Sequence, residues 1–73
     1  MENSIVISQR VKDTINSLDA VDRGPITNAL AMEFIFGDNP EHTLTNNQQI
    51  IYAVIRFYVN HDSERFFRNR KIS

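Results

Sequence analysis

The sequence contains no cysteine and no tryptophan, and it has only two glycines and two prolines among 73 residues. Without cysteine, the chain can form neither disulfides nor thiolate metal sites. So little glycine and proline leaves no segment with the composition of a flexible linker, which indicates a single domain. A chain this short buries only a modest fraction of its surface, so helix packing or association must stabilise it.

Long apolar runs are also absent. The most apolar stretch, residues 50–59, is interrupted by Arg56 and is much shorter than the roughly 20 residues that a membrane-spanning helix needs. Residues 1–3 are not basic, and the apolar residues 5–7 are too few for the core of a signal peptide. We therefore expect a cytoplasmic protein that does not enter membranes.

Positive and negative charges nearly cancel over the whole chain, but they do not cancel within its parts. The formal net charge is −1, which gives no overall bias towards nucleic acid or membrane surfaces. Residues 1–62 hold four basic against eight acidic residues, whereas residues 63–73 hold four basic residues against one acidic residue. The sequence therefore has an acidic body and a basic tail.

The stretch from residue 45 to residue 60 dominates the chain. Thr45 and Gln48 have the spacing of a capping box, in which each side chain bonds the backbone N–H of the other residue. No glycine or proline interrupts the stretch, and it is too long for an ordinary strand. The pattern predicts a helix over residues 45–60.

This central helix is apolar on more than one side. At 100° per residue, Ile55 and Val59 lie away from a broad apolar face, and Arg56 belongs to a narrow polar strip. The broad face comprises Ile50, Ile51, Val54, Phe57 and Tyr58. The helix is therefore either the middle helix of a bundle or a helix that buries its second face against another chain.

Two more helices are expected before the central one. Apolar residues spaced by four, four and three, from Ile7 to Leu18, predict an amphipathic helix over residues 4–18. Residues 5–7 are alternatively a short strand. Pro25 suits the first turn of a helix and Gly37 suits its end, which predicts a second helix over residues 25–36.

These helices predict an all-α fold, a small three-helix bundle in one domain, 1–73. Residues 61–63 either break the central helix or carry it on, and the basic tail, residues 63–73, either forms one or two more helical turns, as a possible short fourth helix, or frays. The second helix, like the central one, is apolar on more than one side, and because exposed apolar surface usually marks an interface, we expect a homodimer. The predicted core comprises Leu30, Phe34, Ile50, Val54, Phe57 and Tyr58, and the predicted dimer interface comprises Met32, Phe36, Ile55 and Val59. The alternative is a monomer in which Phe66 and Phe67 cover the second face.

Candidates for catalysis or metal binding are weak. His42 and His61 are the only histidines, and neither lies in a known zinc-binding pattern. Glu33 lies in an apolar helix, where burial would raise its pKa and suit it to acid–base chemistry; the alternative is an ion pair with Arg56. No Ser-His-Asp pattern or Gly-rich phosphate loop is present. We expect no enzyme, metal or cofactor.

The tail is the better candidate for a binding site. Residues 64–71 interleave aromatic rings with four cations, Arg65, Arg68, Arg70 and Lys71, as nucleic-acid contacts often do. The alternatives are that these cations complement the dipole at a helix C-terminus or pair with the acidic body of a partner chain. Nucleic-acid binding through the tail is therefore one of two functional hypotheses.

One pattern spans residues 18–71: Leu18, Asp22-Arg23, Ala29-Leu30, Gly37, Pro40, Leu44, then Arg65-Phe66 and Asn69-Arg70-Lys71. It resembles a small helical domain of unknown function that recurs in phage and mobile-element proteins. The chain departs from that pattern at Thr27, where the family has tyrosine, and in the longer spacing from Pro40 to Leu44. The resemblance implies a helical, phage-type accessory protein and supplies no catalytic residues.

The sequence thus favours a non-enzymatic helical module that self-associates or binds another protein. The alternative function is nucleic-acid binding through the tail.

Overall fold

The computed structural model describes the backbone of residues 5–72 and the side chains of residues 5–68. Within this part lie α1 (Gln9–Asn16), α2 (Ala20–Phe34), a short 3₁₀ helix (Glu41–Thr43) and α3 (Asn46–Ile72). All regular structure in the described residues is helical, which confirms the all-α prediction.

Helix α3 is the axis of the molecule. Its 27 residues give a length of about 40 Å at 1.5 Å per residue, which matches the longest dimension of the molecule, 41 Å. The predicted capping box is present: Gln48 N–H donates to Thr45 Oγ1 at 3.2 Å, and Thr45 N–H donates to Gln48 Oε1 at 3.1 Å. The helix does not end near residue 60 but continues to Ile72, so residues 61–63 carry the helix on, which was one of the two alternatives from the sequence. The expected turns in the tail are therefore the end of α3 and not a fourth helix.

Helix α1 is shorter than the predicted range of residues 4–18. Ser8 is its N-cap, and the Ser8 side chain accepts a hydrogen bond from the Val11 N–H at 3.3 Å. Residues 5–8 precede the helix and belong neither to a helix nor to a strand. Because a serine hydroxyl satisfies a free first-turn N–H, the helix begins after Ser8 and not earlier.

Helix α2 begins before the predicted start at Pro25. The Asp19 carbonyl accepts hydrogen bonds from the N–H groups of Asp22 and Arg23, so Gly24 and Pro25 lie inside the helix. Proline this close to an N-terminus removes only one backbone hydrogen bond, which tertiary packing can offset. The helix ends at Phe34, and Gly37 follows with φ 74°, a left-handed conformation that glycine adopts readily.

The contacts define how the helices run. Val6 contacts Ser63 and Arg10 contacts Tyr58, so the chain from Val6 into α1 runs antiparallel to α3. In contrast, Asp22 bonds Gln48, and Glu33 further along α2 bonds Tyr52, so α2 and α3 advance in the same direction. The connection over residues 35–45 therefore returns to the start of α3. A simple up-down order of three helices does not describe this path.

The core lies where α1 and α2 meet one side of α3. Its fully or nearly buried apolar residues are Val11, Ile26, Ala29, Leu30, Leu44, Tyr52, Ile55 and Val59. Leu30 lies in the core as predicted, and Phe34 and Tyr58 pack against it partly buried.

The two apolar sides of α3 are exchanged relative to the prediction. Ile55 and Val59, predicted at a dimer interface, are 0% exposed and pack inside their own chain. Ile50, Val54 and Phe57, predicted in the core, are 68%, 45% and 59% exposed. Because both sides of the helix are apolar, its periodicity could not indicate which side faces α1 and α2. The other two predicted interface residues lie on α2 and after it: Met32 is half-buried and Phe36 is exposed.

Candidate interaction surface

The side of α3 that points away from α1 and α2 carries a row of apolar side chains. We call it the outer face of α3, comprising Ile50, Ala53, Val54, Phe57 and His61, all of which are exposed. At 100° per residue, this row lies opposite Tyr52, Ile55 and Val59 of the core. The Phe57 and His61 rings stack with their centroids 5.5 Å apart and extend the row by a turn. Two long rows, one buried and one exposed, therefore share one helix.

The outer face carries no formal charge when His61 is neutral. Arg56 is the only Lys, Arg, Asp or Glu between residues 46 and 61, and its guanidinium lies 3.8 Å from Glu33 and 3.3 Å from Glu41, away from this row. One turn beyond His61, Glu64 and Arg68 form an ion pair at 3.3 Å. An uncharged apolar centre with charges at its edge is typical of protein–protein interfaces.

Glu33 belongs to a hydrogen-bonded network at the end of α2. The Tyr52 hydroxyl donates to Glu33 Oε1 at 2.7 Å and approaches the Ala29 carbonyl at 3.3 Å. Burial raises the pKa of Tyr52, and the hydrogen bond and negative charge of Glu33 raise that pKa further. The ion pair of Glu33 with Arg56, one of the two alternatives from the sequence, is present. These contacts support a structural role for Glu33, which holds α2 against α3.

A second polar cluster joins the N-terminal segment to α3. Arg10 Nη2 lies 2.6 Å from Asp62 Oδ1, and the Ser8 hydroxyl donates to Asp62 Oδ2 at 2.6 Å. The Arg10 guanidinium also lies 4.0 Å from the centroid of the Tyr58 ring. Beside this cluster, Ser63 Oγ accepts from the Val6 N–H at 2.8 Å. Sequence reasoning missed the cluster, because its partners are separated by more than 50 residues and no local pattern links them.

Acid should weaken this cluster. The hydrogen bonds from Ser8 and then Arg10 lower the pKa of Asp62, so the contribution of its carboxylate to folding is present above the pKa of the unfolded chain and is lost as the pH falls through the lowered pKa. We expect Asp62→Asn to reduce the melting temperature by several degrees at neutral pH and by much less near pH 2. Thermal unfolding of both proteins across this range checks it. A constant difference at every pH would contradict the assignment.

The predicted nucleic-acid residues are only partly described. Arg65 and Arg68 are exposed on α3, and Arg68 pairs with Glu64. The side chains of Arg70 and Lys71 lie outside the described residues. His42 and His61 lie apart, at the 3₁₀ helix and on α3, and the described residues contain no group of three His, Cys, Asp or Glu side chains placed to hold a metal.

An apolar groove lies on another side of the molecule, between the N-terminal segment, α1 and α2. It has a volume of about 260 Å³, and its lining includes Ile5, Ile15, Leu30, Phe34 and Ile35. Ile35 in this lining is exposed, and so is Phe36, which follows it in the chain. Unlike the outer face of α3, this groove is concave and does not lie along a single helix.

Over the described residues, no helix is long and apolar enough to cross a membrane. Comparison of the chain with protein-family models, with curated proteins and with solved structures finds no match in any of the three.

Proposed function

We propose that this chain is a non-enzymatic interaction module that forms a homodimer through the outer face of α3. The observation that carries the proposal is the exposure of Ile50, Val54 and Phe57 on successive turns of one helix. Burial of such a side chain contributes about 1.5–3 kcal/mol. Burial of three such side chains in one continuous row would therefore strongly favour the binding of a partner helix.

A second copy of the chain is the occupant that we assign to this row, and the charges do not oppose it. Apart from His61, the row carries no ionisable side chain, so two copies can bring identical surfaces together without strong repulsion. The net charge of −1 adds little repulsion between whole molecules. The resemblance of residues 18–71 to phage and mobile-element domains supports placing the module among accessory proteins of that kind.

The test compares two valine replacements by analytical ultracentrifugation. Val54→Glu places a charge on the outer face of α3 and should shift the protein from dimer to monomer. Val21→Glu is the matched control, because Val21 is equally apolar and well exposed but lies on α2. It should leave the dimer intact. Circular dichroism should show unchanged helicity in both variants.

A monomeric wild-type protein at high micromolar concentration would refute the proposal. So would a dimer that survives Val54→Glu.

Nucleic-acid binding is the second candidate function, favoured by the exposure of Arg65 and Arg68 on a continuous helix. Fluorescence anisotropy with a generic duplex and a single strand should then show binding that weakens steeply with salt. Replacing Arg65, Arg68, Arg70 and Lys71 by glutamine should abolish it. Substitution is preferable to truncation after Asp62, because truncation would remove Ser63 and its bonds to Val6. Absence of salt-sensitive binding would eliminate this candidate.

A further inference from the structure

Residues 5–7, which we call the N-terminal strap, lie outside the helices and join α3 to the apolar groove. Both backbone polar groups of Val6 meet one atom of α3. The Val6 N–H donates to Ser63 Oγ at 2.8 Å, and the Ser63 hydroxyl donates to the Val6 carbonyl at 3.3 Å. Ser63 is buried, so a single side chain supplies the hydrogen bonds that a helix or a sheet would otherwise give this backbone.

The apolar side chains of the strap lie in the groove. Ile5 and Ile7 line it together with Leu30 and Phe34 of α2. Ile5 is partly buried and packs against the core, whereas Ile7 is more exposed. The strap therefore forms part of the groove wall, and its removal would expose the apolar side chains that α1 and α2 contribute.

Ser8 separates the strap from the part of the chain that α1 holds. The Ser8 carbonyl accepts from the Lys12 N–H at 3.0 Å, and the Ser8 hydroxyl accepts from the Val11 N–H. The same hydroxyl donates to Asp62 on α3. These bonds fix Ser8 to both helices without involving the strap. The strap can therefore leave α3 while α1 stays in place.

We propose that the N-terminal strap is a lid on the apolar groove, held closed by Ser63 and hinged at Ser8, and that it opens without unfolding of the helices. Segments with few buried contacts open at a lower free energy than the core does. The strap contributes a partly buried Ile5, whereas α1 contributes the fully buried Val11. The lid is independent of the proposed homodimer, because the groove and the outer face of α3 lie on different sides of the molecule.

Leucine substitutions at two neighbouring residues of α3 test the lid. Ser63→Leu removes the hydroxyl and places a larger side chain against Val6, so it should release the strap. Glu64→Leu is the matched control, because Glu64 follows in the same helix but is exposed. It should leave the strap closed. Order parameters from ¹⁵N relaxation of the backbone amides measure the mobility of the strap and of α1 separately.

The expected result is a loss of order confined to the strap. In the wild type and in Glu64→Leu, the amides of residues 5–7 should have order parameters of about 0.85, as α1 does. In Ser63→Leu, those of residues 5–7 should fall below about 0.6, while those of α1 stay unchanged. The amide signals of Leu30 and Phe34 should shift as well, because the strap no longer covers the groove.

Ser63→Ala is the second variant, for the case that Ser63→Leu does not fold. It deletes the same two hydrogen bonds without adding volume, so it should lower the order of the strap by less and again leave α1 unchanged.

Four outcomes would overturn the proposal. A strap that is already mobile in the wild type, or that stays ordered in both Ser63 variants, would show that Ser63 does not hold it. Equal loss of order in α1 and the strap would show that the strap does not open separately. A released strap with unchanged signals from Leu30 and Phe34 would show that it is not a lid on the groove.

Discussion

Replacing Ile55 by alanine is expected to destabilise the protein by about 2–5 kcal/mol, because it removes a fully buried side chain and leaves a cavity between α3 and the helices packed on it. For a domain of this size the free energy of unfolding is itself only several kcal/mol. The variant should therefore be close to unfolding at room temperature. Urea unfolding followed by circular dichroism measures the effect, and Ile55→Val provides a milder step of about 0.5–1.5 kcal/mol.

Ile50→Ala is the matched control. Ile50 lies on the same helix but is mostly exposed, so its replacement should change the unfolding free energy of the dilute, monomeric protein by less than about 0.5 kcal/mol. Equal losses of unfolding free energy from both substitutions would contradict the assignment of Ile55 to the buried side of α3 and of Ile50 to its exposed side.

Removing the hydroxyl group of Tyr52 is expected to have the second-largest effect. Tyr52→Phe keeps the buried ring but deletes the hydrogen bond to the Glu33 carboxylate, and hydrogen bonds to charged groups contribute about 1.5–3 kcal/mol. We expect a loss of unfolding free energy in that range. Urea unfolding at neutral pH measures it.

Tyr58→Phe tests whether this loss comes from the hydrogen bond. Tyr58 is partly buried, and its ring contacts Arg10 through its face, which phenylalanine preserves. The substitution should therefore be nearly neutral. If Tyr52→Phe were also neutral, the network of Tyr52, Glu33 and Arg56 would not stabilise the packing of α2 against α3.

Local signals in the sequence predicted local structure well. The capping box of Thr45 and Gln48 needs only residues within one turn, and it forms with both hydrogen bonds. Gly37 follows the end of α2 in a left-handed conformation, which glycine after a helix C-terminus often adopts. The start of α2 was predicted too late, because Gly24 and Pro25 are typical of connections between helices. In the structure both lie inside α2, and its first buried residue, Ile26, follows directly after Pro25.

The candidate surface depended on information that one helix alone does not contain. The sequence showed that the central helix is apolar on two sides, which the structure confirms. It did not show that Val11 and Ile26 pack against the side of α3 that carries Ile55, because the residues of α1 and α2 determine which side of α3 is buried. Similarly, nothing near Asp62 in the chain indicates Arg10 as its partner.

The hydrogen bond between Val6 and Ser63 spans 57 residues, and it has a consequence for the protein during its synthesis. Val11 is translated before its core neighbours Ile55 and Val59, which lie more than 40 residues later in the chain. At about 5–20 residues per second, the early helices remain without their packing partner for several seconds. The core that joins α1 and α2 to α3 therefore cannot be completed until most of α3 has been translated.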